Sequence, residues 1–180
     1  DIDLAVAVEP GNLKRRRSAL ATLRVDLMSK MRGVDSFSKL WNRREEVDLP
    51  GAGRVALLSL PDLVKAKKTQ RDKDWPMIRR LIEADMARSP ENPDAARILF
   101  WLRECRTSRL LSDLAGRFPK PAMRIARKRP ALRAAMRGNQ SRTSVLLREE
   151  EARERHRDRR YWAPLCAELE HWRRSRPRDA

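Results

Sequence analysis

The chain has 180 residues, a formal net charge of +17, 41% hydrophobic and only 5% aromatic residues, so its core is modest and its expected partner polyanionic. No apolar run approaches the ~20 residues of a membrane span, and no secretory signal peptide is visible, so the expectation is of no membrane partner. Two cysteines, Cys105 and Cys166, are too few and too far apart for a zinc cluster or a disulfide framework, which points to a reducing cytoplasm.

Residues 1–8 alternate acidic or small residues with Ile2, Leu4, Val6 and Val8, which predicts a strand with Asp1 and Asp3 on one face. Glu9-Pro10-Gly11-Asn12 turns into a basic helix from Leu13 to Leu23. A second strand, Arg24 to Met28, sets Asp26 on the face opposite Val25 and Leu27, joined by a right-handed crossover or as an antiparallel pair. Ser36 to Arg43 predicts a short helix with Phe37, Leu40 and Trp41 inward. Glu45 to Leu49 predicts a strand that returns through Pro50-Gly51-Ala52-Gly53 into Val55–Leu58. That last apolar run is of the kind a sheet buries on both faces.

Ser59 stands where a helix N-cap belongs, with Asp62 three residues on and Pro61 in the first turn. Leu63 and Val64 are expected to face a core, and Lys65, Lys67 and Lys68 to project outward. Gln70 to Asp74 breaks the apolar period and concentrates charge in one turn, within which Asp74 is expected to pair with a basic neighbour. Trp75, Ile78, Leu81 and Ile82 then restore a helical stripe. These elements predict an α+β protein, with a small mixed β-sheet and flanking helices over residues 1–85 and an all-α, basic region over residues 86–180.

Every signal after Asp85 is helical. Helices are predicted over Pro93 to Arg103 and Ser108 to Arg117, and Phe118-Pro119-Lys120-Pro121 breaks the run. From Met123 to Arg137, Arg124, Arg127, Lys128, Arg129, Arg133 and Arg137 interleave with small apolar residues. A last helix starts at Thr143 and passes through a charge-dense middle, Arg148 to Arg160, expected to be solvated or on a partner. Glu149 with Arg153, and Glu151 with Arg155, stand at i,i+4 spacing, worth only ~0.2–0.5 kcal/mol each. Trp162, Leu165, Leu169 and Trp172 form an apolar stripe expected to pack.

The acids carry the chemistry. Asp1 and Asp3 on one strand and Asp26 on a neighbour would repel one another unless a divalent cation lay between them, the arrangement of a two-Mg²⁺ phosphoryl- or nucleotidyl-transfer site. A Lys one turn inside a helix, beside a basic turn, suits a polyphosphate, although Lys67 between Lys65 and Lys68 also reads as a solvated face.

Taken together, DIDLAV, RVDLM and LSLPDLVKAKKTQRDKDW resemble the nucleotidyltransferase fold of the DNA polymerase β-like superfamily, nearest its small prokaryotic abortive-infection and toxin–antitoxin members. The long motif of that subgroup is matched at Leu58, Ser59, Asp62, Leu63, Lys67, Arg71, Lys73 and Asp74. The resemblance covers residues 1–83, with a looser likeness in Tyr161-Trp162, Leu165 and Glu168 to Trp172. It implies that Asp1, Asp3 and Asp26 hold two Mg²⁺ ions and that Lys67, helped by Arg71 or Lys73, contacts an NTP. The implied reaction moves an NMP group to an acceptor hydroxyl on an RNA end such as tRNA, a protein or a small molecule. Members of the family carry a helix and a Gly/Ser-bearing loop before the first acids. Asp1 opens this chain, so the expectation is of an N-terminally truncated fragment that does not turn over by itself. Two other readings are a non-catalytic component of a toxin–antitoxin pair with a cognate toxin or antitoxin, and a basic helical nucleic-acid binder.

Overall fold

The computed structural model describes residues 31–50, 53–89 and 91–175, together with the backbone of two strands, 2–5 and 25–28. In chain order the elements are β1 (Ile2–Ala5), β2 (Val25–Met28), α1 (Phe37–Asn42), β3 (Glu45–Leu49), β4 (Gly53–Leu57), α2 (Leu60–Ala66) and α3 (Asp74–Arg88). Then follow α4 (Ala95–Glu104), α5 (Ser108–Arg117), α6 (Pro119–Ala126), α7 (Pro130–Met136) and α8 (Gln140–Ser175). The chain divides into two units, Asp1–Ala66 and Lys67–Ala180. Among the described residues all strands fall in the first unit and the second is helical, an α+β arrangement. The helix expected over residues 13–23 lies outside the described residues.

In the first unit β1 and β2 pair in parallel, with Asp3 opposite Asp26. β3 and β4 pair antiparallel, with Val47 opposite Val55. Among the described residues these are two separate two-stranded sheets, not the single mixed sheet expected. Val55, Ala56 and Leu57 are also not buried on both faces, and Leu57 is exposed. An apolar run alone does not distinguish a central strand from one half of a hairpin, and a two-stranded ribbon has no layer on each side.

The helix start at Ser36 is as predicted, with Leu40 N–H donating to the Ser36 carbonyl at 3.1 Å. Leu40 is buried but Trp41 is exposed, against expectation. Phe37 and Trp41 stand one turn apart and stack at 5.8 Å, while Arg44 lies 4.4 Å from the Trp41 ring centroid. Leu40 and Trp41 stand about 100° apart around the helix axis, on either side of Phe37, so a narrow contact buries one and leaves the other exposed.

In the second unit, α3 turns Trp75, Ile78 and Ile82 inward, the 3–4 spacing read from the sequence. The division of the chain falls at residues 66/67, upstream of the 85/86 boundary expected, because α3 is tied to the helices after it. Trp101 Nε1 donates to Asp85 at 2.7 Å, and Thr107 Oγ1 donates to Glu83. α4 is capped by Asp94, whose carboxylate accepts from Arg97 N–H at 2.7 Å. The basic stretch expected over 123–137 is two short helices, α6 and α7, each with Pro in its first turn. Ala122, Ala126, Ala131, Ala134 and Ala135 are buried, and such small side chains let α7 approach α5, α6 and α8 closely. Leu102, Leu111 and Leu132 fill the centre, each stabilising by roughly 1.5–3 kcal/mol through burial.

Gly138 ends α7 at φ +70°, with its N–H on the Ala135 carbonyl at 3.0 Å and Asn139 N–H on Ala134 at 3.2 Å. That is a Schellman ending, which needs the left-handed conformation. Asn139 then caps α8 by accepting from Arg142 N–H at 2.9 Å. α8 has 36 residues against 10 in α5, so at 1.5 Å per residue its last turns run on beyond its neighbours. Leu165, Leu169 and Trp172 are accordingly exposed, although they were expected to pack. Among the described residues no helix is long and apolar enough to cross a membrane.

Candidate functional site

Of the three acids predicted to bind metal, Asp1 lies outside the described residues, and Asp3 and Asp26 are placed by backbone alone. The register makes Asp3 and Asp26 direct partners on adjacent parallel strands. In-register residues of neighbouring strands belong to one face of the sheet, so backbone pairing sets the two on one level. Carboxylate oxygens are the hard donors that Mg²⁺ takes. Among residues whose side chains are described, no group of three or more His, Cys, Asp or Glu is placed to hold a metal ion.

At the start of α2, Ser59 and Asp62 form the reciprocal cap that the sequence suggested. Ser59 Oγ donates to Asp62 at 2.8 Å, and Asp62 N–H reaches Ser59 Oγ at 3.4 Å. Asp62 is only 1% exposed, and its charge is met by Arg43, whose Nε and Nη2 donate to its two oxygens at 2.8 and 2.9 Å. Burial pushes the Asp62 carboxyl upward, but the bonds from Arg43 and Ser59 outweigh it and hold it below its usual value. Arg43 also reaches Asp35 at 2.8 Å, and its hydrogen bonds to Asp62 and Asp35 raise it above its ordinary range. The motif residue Asp62 is thus a structural anchor between α1 and α2, and Arg43 is its unforeseen partner.

The basic turn after α2 belongs to the second unit and is built around buried Asp74. Asp74 is 1% exposed, accepts from Thr69 Oγ1, and accepts from Arg71 Nε at 3.0 Å. Arg71 N–H returns to Thr69 Oγ1 at 3.1 Å, and Trp75 Nε1 donates to the Thr69 carbonyl at 2.9 Å. Asp74 therefore ties the turn together, as its spacing suggested. Arg71 spends its Nε on Asp74 but has five donors in all. Lys67 is half-buried and Lys73 exposed. Lys68 does not project freely as expected: it is tucked against Glu104 at 2.7 Å. The amides of Thr69, Gln70, Arg71 and Asp74 are all engaged, so these four do not form an open nest of N–H groups.

The charge-dense middle of α8 is solvated along one face, where Arg148, Arg153, Arg157 and Arg160 are exposed, but its other face makes intramolecular contacts. Asp158, 2% exposed, accepts from Gln70 N–H at 2.8 Å. Arg155 donates to the Gln70 carbonyl at 3.2 Å, to Asp72, and to Glu151 at 2.7 Å. Burial alone would lower Arg155, but its bonds to Asp72 and Glu151 outweigh that and hold it above its usual value. Glu150 accepts from Arg106 at 2.9 Å and from Arg129 at 3.0 Å. Arg129 also donates to the Leu102 and Cys105 carbonyls at 2.7 and 2.8 Å, which satisfies the open end of α4. Burial, then the charge of Arg129, pulls Arg106 below its usual value.

Within the basic stretch over 123–137, Arg129 is buried, and Arg133, although exposed, bonds the Ala126 carbonyl at 3.1 Å. Arg124, Arg127, Lys128 and Arg137 are exposed. The contacts missed from sequence, those of Arg43, Arg106 and Glu150 and the links of Arg155 and Asp158 to the 69–74 turn, join partners far along the chain. One signal was present: Thr143, Leu147, Glu150, Glu154 and Asp158 follow one another at steps of three or four, so the packed face of α8 continues into acids. Comparison of the chain with family models, with curated proteins and with solved structures finds no match.

Proposed function

We propose that the protein is a Mg²⁺-dependent nucleotidyltransferase that moves an NMP group from an NTP to an acceptor hydroxyl. The observation that carries this is the direct pairing of Asp3 with Asp26 on parallel strands, a backbone arrangement that allows two carboxylates to share divalent cations. Asp1, Asp3 and Asp26 hold the metal. Mg²⁺ supplies charge neutralisation around the transferring phosphorus.

The protein's own groups do the rest. Lys67, with Arg71 and Lys73, binds the polyphosphate, and the turn built on Asp74 orients Arg71. Asp26 accepts the proton of the acceptor hydroxyl as its oxygen bonds to the α-phosphorus. The bond from that phosphorus to the β-phosphate oxygen breaks, and pyrophosphate leaves. The exposed cations Arg124, Arg127, Lys128 and Arg137 favour an RNA end as the acceptor.

The test is to express the protein from its complete coding sequence and incubate it with Mg²⁺, α-labelled NTPs and total RNA. Label should pass to an acceptor in the wild type and fall at least ~10³-fold in Asp3→Asn, the scale of losing a preorganised charge at the reacting centre. Undiminished labelling by Asp3→Asn removes the assignment.

A further inference from the structure

The turn that carries Lys67, Arg71 and Lys73 is gripped from a point more than eighty residues away. Both backbone polar groups of one residue, Gln70, are taken by one helix: its N–H by Asp158 at 2.8 Å and its carbonyl by Arg155 at 3.2 Å. Arg155 also pairs with Asp72, and its guanidinium lies 5.8 Å from the Trp75 ring centroid. Trp75 in turn bonds the Thr69 carbonyl at 2.9 Å. The internal bonds of Thr69, Arg71 and Asp74 define the turn's shape; the α8 contacts define where that shape is held within the unit.

The identity of residue 158 matters here. Along the packed face of α8, Thr143 and Leu147 give way to Glu150, Glu154 and Asp158. An apolar side chain at 158 would fill the space without desolvating a carboxylate. A carboxylate is the stronger acceptor for a peptide N–H, and it fixes direction as well as distance.

We propose that Arg155 and Asp158 are positioning residues for polyphosphate binding: α8 sets where the 69–74 turn is held, and NTP affinity depends on it. This rests on the nucleotidyltransferase reading, which gives the turn its ligand. Neither residue touches the nucleotide. The expected consequence is a change in affinity at temperatures where every variant is fully folded, which a purely structural role would not produce.

The experiment uses the protein from its complete coding sequence, with Mg²⁺–ATP as the probe. Calorimetric affinity, the exchange rate of the Gln70 amide and the melting temperature are measured for wild type, Asp158→Ala, Asp158→Asn, Arg155→Ala and Lys67→Ala. Losing one bond to the Gln70 backbone should weaken ATP about tenfold in Asp158→Ala and in Arg155→Ala, with faster Gln70 exchange in the former. Asp158→Asn retains an oxygen acceptor and should recover most of the affinity. If Asp158→Ala does not fold, Arg155→Ala decides. Unchanged ATP affinity in Arg155→Ala and Asp158→Ala, with Lys67→Ala weakened, overturns the positioning role and leaves the polyphosphate reading standing. A wild type that does not bind ATP, or a Lys67→Ala variant that binds it equally well, overturns that reading and this proposal with it.

Discussion

Glu150→Gln tests the ionic centre of the helical unit. The Glu150 carboxylate accepts from Arg106 at 2.9 Å and from Arg129 at 3.0 Å, and the Arg106 and Arg129 side chains are only 8% and 9% exposed. Neutralising Glu150 leaves two buried like charges with one fewer counter-charge, because Lys68 already shares Glu104. Breaking a buried pair from one side costs ~3–5 kcal/mol. Gln keeps an acceptor oxygen, and Arg129 keeps its two carbonyl partners, so the lower end, ~3 kcal/mol, is expected. With a urea m-value of ~2 kcal/mol/M, the unfolding midpoint should fall by about 1.5 M. Buried Trp75 and Trp101 report the transition by fluorescence. The control is Glu149→Gln, one residue away, whose Arg153 partner stands at 3.8 Å with both side chains about half exposed; it should stay within ~0.5 kcal/mol. A midpoint shift in Glu150→Gln no larger than that of the control refutes the reasoning.

Two further outcomes follow from other buried groups. Asp62 is held below its usual 3.8 in the folded chain, so it binds its proton more readily when unfolded. Its contribution to stability is present above the unfolded value and is lost as pH falls below about 4; Asp62→Asn should flatten the acid limb of a stability-against-pH curve, and an unaltered limb counts against the Arg43–Asp62 anchor. Cys105 is buried, with its thiol pushed up chiefly by burial, whereas Cys166 is exposed. A thiol reagent should therefore modify one cysteine per native chain, at Cys166, and reach Cys105 only after denaturant is added; mapping the label to Cys105 in the native protein would contradict the fold of α4.

Local chemistry was legible where short-range rules suffice. The Ser36 and Ser59 helix starts, the strand Glu45–Leu49, the helix Ser108–Arg117 and the inward set Trp75, Ile78 and Ile82 all follow from capping and period. So did the i,i+4 pair Glu151–Arg155 at 2.7 Å and the role of Asp74 within its turn. These features depend on residues within about one helical turn, and such spacing is written directly in the chain. The candidate acids Asp3 and Asp26 were legible as residue types, but their direct opposition required the strand register.

What tertiary structure alone decided is which charges are spent on the protein itself. The composition, the helical content after Asp85 and the apolar periods were set by the sequence. Arg43, Arg106, Arg129 and Arg155 look like solvent-facing cations by composition, yet each is matched to a carboxylate or carbonyl distant in the chain. Guanidinium groups have no periodic signature, and a salt bridge is specified by three-dimensional proximity that no local window contains. The same holds in reverse for Leu165, Leu169 and Trp172. Their spacing marks an apolar face, but whether that face is covered depends on how far α8 extends past the helices beside it.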